Sequence, residues 1–170
     1  MLKIEPPDTH ALSAALGWLE LGNTAEALAE LDRISESNQP HPAVIEMRWA
    51  VYAGMKRWDL ALESAEELVR VLPGMVDGWL HRAYALRRTP GGGLMQAWEA
   101  LLPAAEKFPK QPLVAFNLAC YACQLQRLDD ARHWLQRAAK IGGKAEIKKM
   151  ALADSDLEPL WPEIRAKSIK

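Results

Sequence analysis

The sequence predicts an all-α fold of stacked helix hairpins, an α-solenoid. An alanine recurs at steps of 34, 36 and 34 residues, at Ala27, Ala61, Ala97 and Ala131. Further small or apolar residues follow each alanine at i+4 and i+7, which places them on one face of a helix. A period near 34 residues with this helical spacing is typical of arrays of helix hairpins. No segment shows the period-2 alternation of a half-buried strand.

Length and composition indicate one soluble domain, since 170 residues, 49% of them apolar, are enough to bury a core. The net charge of −1 argues against nucleic acid or anionic lipid as a partner. No apolar run approaches the roughly 18 residues that a membrane span requires. The N-terminus lacks the apolar stretch of a signal peptide, and two cysteines do not suggest a disulfide framework. We therefore expect a cytoplasmic protein.

The first hairpin is marked by Gly22 and Asn23, which separate two apolar stripes. The first stripe runs from Leu12 to Leu19, and the second begins at Ala27. Asn23 is placed to cap the second helix, with Glu26 three residues later as in a capping box. The segment 37–42, which contains two prolines, ends this hairpin because proline cannot continue a helix.

Breaker residues also separate the later helices. The predicted pairs are 43–55 with 58–72, 76–88 with 94–107, and 112–125 with 128–140. The joint at 89–93, rich in glycine, is longer than its counterparts and accounts for the single 36-residue step. After Gly142-Gly143 we expect one more helix over 144–152 and a short helical stub over 157–164. Ser155 and Glu158 have the spacing that caps such a stub.

These repeats resemble the tetratricopeptide (TPR) pattern. The second repeat carries Trp49 and Tyr52, then Ala61, Ala65 and a closing Pro73; the third carries Trp79 and Ala83, then Ala97, Leu101 and Pro109. The resemblance covers residues 9–143, with Trp49 departing from it at a small-residue site. It implies a single right-handed TPR-like domain over 1–170, with repeats at about 8–41, 42–75, 76–111 and 112–143 and a C-terminal cap at 144–170.

The resemblance also implies a binding groove, because in this family the first helix of each hairpin lines the concave side. The implied groove residues are Leu12, Leu16, Glu46, Met47, Leu80, His81, Tyr84, Arg87, Arg88, Phe116, Asn117 and Cys120. This surface is mostly apolar, with a basic spot at Arg87 and Arg88. Some family members hold a carboxylate with basic and amide side chains on successive helices, and here only Asn117 fits that arrangement.

An apolar groove predicts a non-enzymatic adaptor or scaffold that binds a protein or peptide through an apolar segment of the partner. One alternative is a chaperone-like protein, similar to the bacterial TPR chaperones that hold an apolar part of a secreted client. Another is an assembly subunit whose groove is covered by its own N-terminal segment or by a second copy in a homodimer.

The cysteines at positions 120 and 123 favour packing over chemistry. Cys120 lies well inside a predicted helix, whereas a redox-active cysteine needs the helix N-terminus to lower its pKa. A structural zinc site needs four ligands, and His133 is the one further ligand whose predicted position is near. No nucleophile, base and oxyanion site assemble in the sequence, so we predict no catalytic, metal or cofactor site.

Overall fold

The computed structural model describes residues 3–166, and all regular structure within them is helical. The α-helices are α1 Asp8–Glu20, α2 Thr24–Asp32, α3 Pro42–Gly54, α4 Trp58–Val71, α5 Val76–Leu86, α6 Leu94–Lys107, α7 Pro112–Gln124, α8 Leu128–Gly142, α9 Lys144–Ala153 and α10 Trp161–Ala166. Two 3₁₀ helices, Glu36–Asn38 and Ser155–Leu160, complete the secondary structure of this part of the chain. The predicted helices are confirmed to within a few residues at each end.

Local capping explains where several helices begin. The side chain of Asn23 accepts a hydrogen bond from the backbone N–H of Glu26 at 3.3 Å, as predicted. Pro42 occupies the first turn of α3, where its missing N–H is not needed. The prediction that Ser155 caps the C-terminal stub is wrong. The cap is Asp154, whose carboxylate accepts from the N–H of Asp156 at 2.9 Å.

The chain divides into two compact units between Gly91 and Gly92. The division falls in the glycine-rich joint predicted between the helices of the third repeat. Gly91 has a φ of +80°, a left-handed backbone conformation that favours glycine. The sequence-based assignment of one domain over 1–170 stays a prediction.

In the first unit, α1 packs on α2, α3 on α4, and α4 on α5. The helices that open each hairpin, α1, α3 and α5, are also neighbours, because α3 contacts both α1 and α5. Ala15, Ala27, Leu31, Val44 and Val51 form a fully buried core at the N-terminal end of this unit. At Gly78 of α5, an added Cβ would lie 3.2–3.3 Å from side-chain atoms of α4. These two helices therefore approach closely at a position that suits glycine.

In the second unit, α7 packs between α6 and α8, and nine of its residues are buried. The C-terminal elements close this unit, since α9 packs on α8 and the 3₁₀ helix Ser155–Leu160 packs on α7. Leu157, Leu160 and Ile164 enter the same core as Ala119 and Ala131. The recurring alanines Ala27, Ala61, Ala97 and Ala131 are all fully buried, which is the close-packed role that small residues serve between helices. Among residues 3–166, no helix has both the length and the hydropathy that a membrane span needs.

Candidate functional site

Most of the predicted groove residues lie on or directly after the first helices of the hairpins in the first unit. Leu12 and Leu16 lie on α1, Glu46 and Met47 on α3, and Leu80, His81 and Tyr84 on α5, with Arg87 and Arg88 directly after α5. We refer to these nine residues as the α1–α3–α5 face, the name for the surface that the sequence predicts they share. Its side chains differ in exposure: Leu16 is 45% exposed and Tyr84 is 39% exposed. Leu12 and Met47 are partly buried against the core of the unit.

Aromatic rings connect α3 to α5 at the centre of this face. The imidazole of His81 stacks on the indole of Trp49, with ring centroids 3.6 Å apart and planes 11° apart. Tyr84, one turn further along α5, meets Trp49 edge-on at 6.1 Å. Trp49 stands where the repeat pattern expects a small residue, so α5 packs here against an indole. The Trp49 Nε1–H is buried, with no hydrogen-bond acceptor in the described part of the chain.

Arg88 and Trp58 also contact the ring of Tyr84. The guanidinium carbon of Arg88 lies 3.5 Å from the centre of the Tyr84 ring and 5.3 Å from that of Trp58. Arg88 also donates a hydrogen bond from Nη1 to the backbone carbonyl of Tyr84 at 2.9 Å. Trp58 contacts Tyr84 edge-on at 5.8 Å. The exposed tyrosine is therefore held in one orientation by cation–π and aromatic contacts.

Two carboxylates mark the opposite end of α5. Burial, and then the charge of Asp77, raise the pKa of Glu46 above its ordinary value. Burial also lowers the pKa of His81 to about 4, although Asp77 opposes this shift. At neutral pH the imidazole of His81 is therefore uncharged. Within residues 3–166, the structure gives neither Glu46 nor Asp77 an ion pair or hydrogen bond through its side chain.

Sequence reasoning missed Asp77 and Trp58. Asp77 has the helical spacing that would have revealed it, since positions 77, 81, 84 and 88 follow i, i+4, i+7 and i+11 along one helix face. Trp58 begins α4, a second helix of a hairpin, and the resemblance assigned no groove residue to such helices. Its contact with Tyr84 arises only from tertiary packing.

The structure places the predicted groove residues of α7 differently. Phe116 is 6% exposed and Cys120 is 3% exposed. Both belong to a core that includes Leu157, Leu160 and Ile164 of the C-terminal segment. The amide of Asn117 donates to the carbonyl of Leu113 in its own helix at 2.9 Å. Because the C-terminal segment covers this side of α7, we leave Phe116 and Cys120 out of the site proposed below.

Cys120 has acidic neighbours that the sequence did not reveal. Its thiol donates to the carboxylate of Asp154 at 3.6 Å, and a carboxylate oxygen of Asp156 lies in the same group of atoms, all within 4.8 Å of one another. Asp154 is also the cap of the 3₁₀ helix, and the side chain of Gln124 donates to the carbonyl of Asp156 at 2.9 Å. These contacts fasten the C-terminal segment to α7, and they give the group a structural role.

Comparison with solved structures identifies the fold. A crystal structure of a thermophilic TPR protein of Thermus thermophilus superposes with a TM-score of 0.69 at 20% sequence identity, covering 92% of this chain and 82% of that chain. No family model matches the chain. No curated protein sequence matches it either. The structural likeness confirms the predicted all-α, TPR-like repeat fold.

Proposed function

We propose that this chain, which has the TPR fold, is a non-enzymatic adaptor or scaffold that binds a protein or peptide through its α1–α3–α5 face. The observation that carries the proposal is the exposed ring of Tyr84, which Arg88 and Trp58 hold in place on a helix surface. An exposed aromatic side chain that is already ordered loses little entropy when a partner covers it. Such residues commonly anchor protein interfaces.

The partner that suits this face contributes an apolar segment. Leu16 is nearly half exposed, and Leu80 lies on the same helix as Tyr84. Covering such side chains releases about 25 cal/mol for each Å² of apolar surface removed from water. An amphipathic helix or an extended apolar peptide would supply matching side chains. The net charge of −1 gives no support to a nucleic-acid ligand.

Substitutions at the two exposed residues test this function. Leu16→Glu and Tyr84→Glu each place a charge in the surface that the partner would cover. We expect each to lower the amount of partner recovered from the native cells by tenfold or more, with unchanged helical content by circular dichroism. Met95→Glu is the matched control, since Met95 on α6 is 42% exposed and lies outside the face. Equal recovery by all three variants and the wild type would place the interface elsewhere.

Two related functions predict different results for the same variants, measured as client solubility and as sedimentation. A chaperone-like protein would keep one aggregation-prone client soluble, and Leu16→Glu would abolish that effect. An assembly subunit would instead sediment as a homodimer or in a permanent complex, and Tyr84→Glu would dissociate it. For the proposed adaptor, we expect a monomer in sedimentation until its partner is added.

A further inference from the structure

The α1–α3–α5 face has a charge order along α5. Asp77 lies in the first turn of the helix, Tyr84 in its last turn, and Arg88 just beyond it. At a rise of 1.5 Å per residue, the backbone of Asp77 lies about 10 Å from that of Tyr84. The face is thus acidic at one end, aromatic in the middle and basic at the other end.

The structure shows no ion pair at the acidic end within the described residues, whereas two other carboxylates of the first unit are paired with arginine. Asp32 pairs with Arg48 at 3.0 Å, and Asp59 pairs with Arg57 at 3.2 Å. Glu46 instead lies half-buried on α3, which contacts α5, and the charge of Asp77 on α5 helps to raise the pKa of Glu46. Two neighbouring carboxylates in a partly desolvated place repel each other, and a cation between them would remove that repulsion.

His81 does not supply that cation. Its ring is stacked face to face on Trp49, and burial keeps the imidazole neutral at physiological pH. The surface between the carboxylates and Tyr84 is therefore aromatic and uncharged. A ligand that is complementary to this surface would place a positive charge beside the carboxylates and an apolar group beside Tyr84.

We propose that the partner segment presents a lysine or arginine side chain to Glu46 and Asp77, and an apolar side chain to Leu80 and Tyr84. This inference rests on the proposed function and specifies the partner. An extended peptide advances about 3.3 Å per residue, so the 10 Å between the two subsites corresponds to a spacing of about three residues. The segment we infer is therefore a basic residue followed or preceded, about three positions away, by a large apolar one.

A peptide-display experiment on the full-length chain tests this inference. A phage library of random 12-residue peptides is selected on the wild-type protein, and the affinity of the enriched peptides is measured by fluorescence anisotropy. We expect enrichment of the basic and apolar pair at this spacing. Replacing the basic residue with a neutral isostere, citrulline for arginine or acetyl-lysine for lysine, should weaken binding about tenfold or more.

The decisive comparison uses charge-neutral variants of the protein. Against the double variant Glu46→Gln/Asp77→Asn, the basic and neutral peptides should bind equally well. The matched control is Glu63→Gln/Glu66→Gln, which removes two exposed charges from α4 and should keep the wild-type preference. An equal loss of preference in both double variants would indicate non-specific attraction and overturn the inference.

The remaining outcomes separate this inference from the proposed function. The selected peptides could show no enrichment of basic residues and yet fail to bind Tyr84→Glu. That result would overturn the inference about the basic residue but would still support the proposed function. A library that yields no binder dependent on Leu16 or Tyr84 would overturn both. Calorimetry could show that Ca²⁺ or Mg²⁺ binds only when Glu46 and Asp77 are present, while the peptides show no enrichment of basic residues. That result would overturn the inference and assign the two carboxylates to a metal site. A homodimer that the same double variant dissociates would assign them to a second copy.

Discussion

The imidazole of His81 lies flat against the indole of Trp49, with 3.6 Å between ring centroids. This stack joins the first helices of two successive hairpins, α3 and α5. It also explains how the array accommodates a tryptophan where the repeat pattern expects a small residue. Because Tyr84 contacts the same indole at 6.1 Å, the stack supports the exposed ring that we propose as the anchor of the partner.

The buried stack should make stability fall in mild acid. The pKa of His81 is about 4 in the folded chain and 6.5 in its ordinary state. Between these pH values the unfolded state binds more protons than the folded state, so the free energy of unfolding decreases as the pH falls from 6.5 towards 4. We expect a loss of at most about 3 kcal/mol over this range, since each pKa unit corresponds to 1.36 kcal/mol. Urea unfolding at a series of pH values measures it.

Two variants isolate the contribution of His81. His81→Phe keeps an aromatic ring against Trp49 but cannot bind a proton. The decrease in its unfolding free energy between pH 6.5 and pH 4 should therefore be smaller than that of the wild type, by the contribution assigned to His81. His10→Gln is the control, because it removes an exposed imidazole that is not part of the stack with Trp49. An unchanged profile for His81→Phe would show that the imidazole is solvated in the folded state.

Glu46 should destabilise the folded chain at neutral pH. Folding raises its pKa, so the folded state binds the proton more tightly, and this group's contribution to stability decreases as the pH rises through its pKa. Glu46→Gln should therefore raise the melting temperature at pH 7 and have little effect in acid. Carboxyl NMR should show the pKa of Glu46 falling in Asp77→Asn, since Asp77 contributes to the shift. If Glu63→Gln raised the melting temperature by the same amount, the stabilisation would come from the change in net charge and not from the burial of Glu46.

The sequence predicted the helices well because their signals are local. Caps such as Asn23, prolines such as Pro42 and the alanine spacing act within a few residues. The burial of the predicted groove residues on α7 could not be predicted in this way, because the exposure of Phe116 depends on where the C-terminal segment packs. A helical periodicity shows that residues share a face, but it does not show what covers that face. The contact between Trp58 and Tyr84 escaped prediction for the same reason.

The two cysteines should be unreactive in the folded protein. Cys120 and Cys123 are buried, and burial raises the pKa of the Cys123 thiol, so it stays protonated at pH 7. A maleimide dye should label both only after unfolding in guanidinium chloride. We also expect Cys120→Ala/Cys123→Ala to bind the partner equally well in oxidising and reducing buffer. Rapid labelling of the native chain would contradict a packing role.

The C-terminal segment should be essential to the second unit. Leu157 is fully buried in its core, and Leu157→Ala should lower the free energy of unfolding by about 2–5 kcal/mol through the lost burial and the cavity it leaves. Urea unfolding followed by tryptophan fluorescence provides the measurement. Glu158→Ala changes the exposed neighbour in the same 3₁₀ helix and should have a much smaller effect. A small effect of Leu157→Ala would mean that the segment detaches readily from α7.

Site-specific photocrosslinking in the native cells shows whether a partner protein covers Tyr84. A benzophenone amino acid replaces Tyr84 on the α1–α3–α5 face in one variant and Met95 on α6 in another, both exposed positions. After irradiation, mass spectrometry identifies the covalent adducts. We expect a discrete adduct with a partner protein from position 84, formed through a segment with apolar residues, and no such adduct from position 95. An adduct from position 95 alone, or the same adducts from both positions, would contradict this expectation.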